Sequence, residues 1–137
     1  MNDCIFCKIV AGEIPSSKVY EDEFVLAFMN IKAVNEGHLL VIPKEHIPYI
    51  NDMDDQIYTQ LMLAVKKFSV AIERAFKPGR VGLAVSGWDV AHVHVHVVPM
   101  TQPNDLTSKK EIDNETLNLT IEQRDLHAEK IREHLSS

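Results

Sequence analysis

Apolar residues recur at helical spacing over one long stretch of this chain and at strand-like spacing over several short ones. From about Asp54 to Lys77, the positions Ile57, Leu61, Ala64, Val65, Phe68, Ile72, Ala75 and Phe76 fall on one helical face, and Pro78-Gly79 stops the pattern. This predicts a long amphipathic helix. Upstream, Lys18-Val19-Tyr20 and the apolar run from Phe24 to Met29 flank an acidic turn, Glu21-Asp22-Glu23, and read as a β-hairpin. The run from Gly37 to Pro43 reads as a buried strand closed by proline, which has no N–H to give to a ladder. Residues 81–85 and 91–98 are strand-like, are separated by Ser86-Gly87-Trp88-Asp89-Val90, and should pair antiparallel. Beyond Pro103 the chain is polar and reads as irregular, up to a second helix over about 120–135 carrying Ile121, Ala128, Ile131 and Leu135. Thr120 and Gln123 have the spacing of a capping box at its start. The order of elements predicts an α+β domain with a mainly antiparallel sheet, one long central helix and a C-terminal helix.

The whole chain, residues 1–137, is expected to form a single domain. Its 45% hydrophobic content is enough for one core, and no internal repeat, low-complexity block or Gly/Ser-rich linker divides it. A formal charge of −6 disfavours a grip on long nucleic acid, which needs clustered Lys and Arg, but leaves room for a small anionic ligand at a local site. The N-terminal residues lack the basic stretch and apolar run of an export signal, and no apolar run approaches the ~18 residues of a membrane span. A cytoplasmic protein is expected. In that compartment Cys4 and Cys7 are thiols or metal ligands rather than a structural disulfide.

The chemistry concentrates in Ala91-His92-Val93-His94-Val95-His96-Val97-Val98, where three of the seven histidines alternate with valines. On a regular strand all three rings would lie on one face and the valines on the other. His92 and His96 would then stand roughly 13 Å apart, too far to share one metal ion with His94. The bland reading is a solvated polar face. The functional reading is a row of groups that donate, accept or carry charge near neutral pH, as phosphoryl chemistry requires: one imidazole as nucleophile, a neighbour as donor to phosphate oxygens.

This segment resembles the His-x-His-x-His-x-x signature of the histidine triad family. Ile5-Phe6-Cys7-Lys8, Gly12-Glu13-Ile14-Pro15, Phe28-Met29-Asn30-Ile31 and Gly37-His38-Leu39-Leu40-Val41-Ile42-Pro43-Lys44-Glu45-His46 are similar to that family's blocks in the same order, so that the resemblance spans residues 4–99. It implies a nucleotide hydrolase or transferase in which the middle histidine, His94, attacks the α-phosphate of a phosphoramidate, an acyl adenylate or a dinucleoside polyphosphate. A nucleotidyl-histidine forms and water releases the nucleoside monophosphate, while His96 donates to a phosphate oxygen. Purine substrates and a homodimer are also implied. By the same resemblance Ile5, Phe6 and Ile31 line the base pocket and Asn30, where many relatives carry Asp, contacts the ribose; a turn residue is the equal alternative for Asn30. Cys4, Cys7, His46 and His92 stand where relatives bind a structural zinc. The chain departs from the family at Trp88 and Asp89, which replace polar phosphate contacts; Ser86 is a candidate to fill part of that role. Trp88 is expected to pack over the hairpin and Asp89 to satisfy its turn backbone; the alternative is that they contact the substrate, where an ionised Asp89 would repel the phosphate. Two other classes compete: a noncatalytic nucleotide-binding module, and a metal-dependent hydrolase using adjacent histidines of the run.

Overall fold

The computed structural model describes residues 3–107 and 115–135. Five antiparallel strands, β1 (Lys18–Glu21), β2 (Val25–Met29), β3 (Leu39–Pro43), β4 (Arg80–Ala84) and β5 (Val95–Met100), form one sheet in the order β1-β2-β3-β5-β4. The helices are α1 (Ile5–Val10), α2 (Asp55–Phe76) and α3 (Ile121–Arg132). The α+β class expected from the pattern holds. No helix among the described residues is long and apolar enough to cross a membrane.

β2 and β3 are continuous apolar runs because both faces of the sheet are covered. Val25, Ala27, Val41, Val95 and Val97 pack with Leu61, Val65, Phe68 and Ile72 of α2 and with Ala128 and Ile131 of α3. Leu26, Phe28, Leu40 and Ile42 point the other way, against Phe6 and Ile9 of α1. Leu40 is opposite His96 in the β3–β5 register, so His96 emerges on the α1 side while Val95 and Val97 enter the main core.

The ends of the elements follow local chemistry. Asp54 caps α2 by accepting from the Gln56 N–H at 3.0 Å, and Lys77, at φ 50°, closes it just before Pro78-Gly79. Both halves of the Thr120–Gln123 capping box are made at the start of α3. In the hairpin turn Asp22 Oδ1 accepts from the N–H groups of Phe24 and Val25, each at 2.8 Å. The stretch expected to be irregular beyond Pro103 begins instead with a short 3-10 turn (Pro103–Thr107), and its residues 108–114 lie outside the described residues.

Two expectations need correction. Helix α1 was not predicted, because six residues carry too little periodicity to announce it. The strand expected over 91–98 is β5 over Val95–Met100, so His92, Val93 and His94 precede the ladder. The β3–β5 register would bring Val93 opposite Pro43, which has no N–H to donate. The ladder stops there; Val93 N–H bonds to the Ile47 carbonyl at 2.8 Å, and His92 N–H folds back to Val90 at 2.9 Å.

Candidate functional site

The α1 face of the sheet carries a cavity of about 680 Å³, walled by α1, the end of β2 with the loop after it, and the 84–90 segment. Every predicted nucleotide-site residue reaches it: Ile5, Phe6, Asn30 and Ile31 on one wall, Ser86 on the other, and His94 and His96 between them. Ile5 and Ile31 are exposed rim residues, and Phe6 is buried with its ring edge-on to His94, centroids 5.0 Å apart. Asn30 faces the cavity, but its Oδ1 already accepts from the Lys32 N–H at 2.9 Å, the turn arrangement weighed above.

The three histidines do not share a face. His94 and His96 stay neighbours, ring centroids 5.2 Å apart, while His92 turns away to meet His46 and the two thiols. Each ring is held in one tautomer. The His94 Nδ1–H donates to the His92 carbonyl at 2.8 Å, which leaves the Nε2 lone pair facing the cavity. His38 reaches the site from the head of β3. Its Nδ1 accepts from the Val34 N–H at 3.0 Å, so its Nε2 carries the proton and donates to His96 Nδ1 at 3.0 Å. His96 is thereby left with an Nε2–H as its remaining donor. Gly37, at φ +91°, lets the chain enter this corner, where a Cβ would come within 2.7 Å of the Phe76 ring.

Burial pushes His38 down to about 3, with the neighbouring His96 adding to the shift. Burial also holds His96 below the ordinary histidine range, followed by the effect of His94 and opposed by Asp89. Both rings are neutral at pH 7, as the tautomer chain requires. The unfolded chain binds a proton near pH 6.5 that folded His38 refuses until about pH 3. Stability is therefore complete above that window and falls on acidification through it, by about 1.4 kcal/mol per pH unit from His38 alone. Urea midpoints measured from about pH 7 to about pH 4 should show this slope, and His38→Asn should flatten it. A slope unchanged by the substitution would contradict the assignment.

Sequence reasoning passed over His38 as a site residue, although a histidine heading an otherwise apolar run was a visible signal. At residues 88 and 89 the expected turn role gives way to the site-facing alternative. Trp88 does not pack over the hairpin; it is 93% exposed. The Asp89 carboxylate does not serve the turn, whose bend comes from Gly87 at φ +73°, and instead lies 3.4 Å from His94 Nε2.

Behind His94, the ligand atoms of Cys4, Cys7, His46 and His92 all lie within 4.8 Å of one another. The Cys4 thiol caps α1, accepting from the Cys7 N–H at 3.4 Å, which brings Cys7 round to the same point. Cys4 Sγ is 3.3 Å and Cys7 Sγ 3.5 Å from His92 Nδ1, and Cys7 Sγ is 3.2 Å from His46 Nδ1. The edges of a tetrahedron built on Zn–S and Zn–N bonds are about 3.3–3.8 Å; the three close pairs match them, and the widest separation, up to 4.8 Å, would have to close by about 1 Å around a zinc ion. His92 Nε2–H donates to the Pro43 carbonyl at 2.8 Å, which presents Nδ1 unprotonated to the cluster.

Residues 11–103 match the HIT domain. The chain is 47% identical over 104 residues to Protein hit of Bacillus subtilis, covering 71% of this chain and 70% of that one. It is 36% identical over 107 residues to adenosine 5'-monophosphoramidase hnt1 of Schizosaccharomyces pombe, covering 74% and 76%. With adenylylsulfatase HINT3 of Arabidopsis thaliana it shares 31% identity over 141 residues, covering 99% and 71%. Among solved structures, a Hit-like protein involved in cell-cycle regulation from Bartonella henselae superposes with a TM-score of 0.82 at 31% identity, covering 98% of each chain. A zinc-bound histidine triad family protein from Mycobacterium smegmatis gives 0.77 at 25% identity, covering 98% and 94%. With the motif, the fold and the matched residues in agreement, this chain belongs to the HIT domain family.

Proposed function

We propose that the protein hydrolyses or transfers nucleotides at the α-phosphate, through a covalent nucleotidyl-histidine on His94. The observation that carries this reading is the hydrogen bond from His94 Nδ1 to the His92 carbonyl, which leaves Nε2 as an in-plane lone pair facing the cavity. That lone pair forms the bond to phosphorus, and the leaving group departs with the electron pair of its own bond. Water then adds to phosphorus and loses a proton, the phosphorus–nitrogen bond breaks, and its electron pair returns to Nε2 as the nucleoside monophosphate is released. The His96 Nε2–H, oriented through His38, donates to a phosphate oxygen and stabilises the charge of the transition state. Ile5, Phe6 and Ile31 receive a purine base, Ser86 faces the phosphate, and Asn30 offers its second Oδ1 lone pair to the ribose. The names of the phosphoramidase and adenylylsulfatase relatives support the substrate class.

Cys4, Cys7, His46 and His92 hold a structural zinc, which supplies a cross-link between the N-terminus and the segment bearing His94. The protein pairs as a homodimer. Leu63 and Val70, two turns apart on α2, are exposed apolar residues, and β4 is an edge strand with Leu83 exposed. Light scattering should give twice the 15.5 kDa chain mass at micromolar concentration, and a monomer would refute the pairing.

The direct test of function is incubation with adenosine and guanosine phosphoramidates, adenylyl sulfate and dinucleoside polyphosphates, reading nucleoside monophosphate release. Turnover of at least one is expected. Nucleotide binding without any turnover would favour a noncatalytic module.

A further inference from the structure

The 85–91 segment between β4 and β5 brings two side chains to the cavity that the reaction above does not use. Asp89 Oδ1 stands 3.4 Å from His94 Nε2, and its side chain is 70% exposed. Trp88, next in the chain, also lines the cavity and leaves 93% of its surface open. An exposed indole beside a carboxylate is the arrangement that recognises an organic cation, through the ring face and the negative charge together. The other charges lining the cavity lie elsewhere. Lys32 follows β2 on the opposite wall, Arg124 on α3 donates to the Leu119 carbonyl at 2.9 Å, and Asp105 is buried and accepts from the Thr101 and Gln102 N–H groups.

A phosphorus atom poised for attack sits roughly 3–3.5 Å from the nucleophilic nitrogen. Asp89 Oδ1 is at a comparable distance from the same nitrogen, so an α-phosphate under attack would stand close to the carboxylate. A departing group that adds more negative charge compounds the repulsion; one that carries an ammonium reverses it. A unit charge about 5 Å away, across partly solvated space, changes affinity by roughly five- to fifteenfold.

On the reading that His94 attacks an α-phosphate, we propose that Trp88 and Asp89 form a leaving-group subsite. It selects nucleotides whose departing group carries a positive charge, such as a diamine phosphoramidate or an aminoacyl group, over those that release polyphosphate or sulfate.

Three ligands with no labile leaving group test this by calorimetry: the 2-aminoethyl ester of adenosine 5'-phosphate, its neutral ethyl ester, and adenosine 5'-methylenediphosphonate. The wild-type protein should bind the aminoethyl ester about tenfold or more tightly than the diphosphonate at low salt, and the gap should narrow at high salt. Asp89→Asn should weaken the aminoethyl ester by roughly five- to fifteenfold and strengthen the diphosphonate, so that the ratio shrinks by more than that factor. Trp88→Ala should weaken the aminoethyl ester severalfold and the ethyl ester less. Equal wild-type affinities, or a ratio unmoved by Asp89→Asn, would overturn the subsite while leaving nucleotide binding intact. Failure of all three ligands to bind would overturn the proposed function and the subsite with it.

Discussion

His94→Asn is expected to bind nucleotide and not turn it over. The asparagine amide can take the place of Nδ1 and keep the bond to the His92 carbonyl, now 2.8 Å from the ring, so the local backbone is retained. What is lost is Nε2, the lone pair that the proposed reaction uses to bond phosphorus. No other imidazole can replace it: His96 offers a protonated Nε2, and His92 is committed to the Pro43 carbonyl and the thiol cluster. The rate should fall by roughly 10⁴-fold or more, as for removal of a nucleophile that acts with its neighbours as a unit. Calorimetric affinity for the nucleoside monophosphate should change little. His96→Ala removes a donor and leaves the nucleophile, and should slow turnover by about 10²–10³-fold. Comparable rates for His94→Asn and wild type would refute the assignment of the nucleophile.

Stripping the metal should cost more stability than any single side chain near the site. Zinc bound a thousandfold above its dissociation constant stabilises the folded state by about 4 kcal/mol, and for a domain of this size that corresponds to ~10–20 °C in melting temperature. Elemental analysis of protein purified without chelator should find one zinc per chain, and Cys7→Ser should lower both the zinc content and the midpoint. Activity should decline only as structure is lost, because His92 links the cluster to His94 through its backbone carbonyl and not through the reaction. Instant loss of turnover on chelation, with the fold intact, would favour a metal-dependent hydrolase. A metal-free sample of full stability and activity would remove zinc from the account.

What could be read from the sequence was what periodicity and capping encode locally. Helix α2 matches the bounds of its apolar stripe to within a residue, and the Thr120–Gln123 box marks α3. The cavity-lining role of Ile5, Phe6 and Ile31 came from resemblance, since their apolarity alone would suit any core. Local pattern failed where a distant residue decides the outcome. Alternation in the histidine run predicted one strand face, but Pro43, 49 residues before His92, lacks the N–H that would extend the β3–β5 ladder past Val95, and His92 is released to the thiols. Helix α1 is set by the Cys4 cap and by packing of Phe6 and Ile9 on the sheet, not by a long periodic run. For Asp89 the turn rule that favours aspartate was set above the site-facing alternative, and only the assembled loop, which brings its carboxylate to 3.4 Å from His94 Nε2, decides between them.

The stereochemical course at phosphorus separates a covalent intermediate from direct hydrolysis. A substrate made chiral at the α-phosphorus with sulfur and heavy oxygen should give a product with retained configuration, because attack by His94 and then by water inverts the centre twice. Inversion would mean that water attacks the substrate in a single step, and would contradict a covalent intermediate on His94.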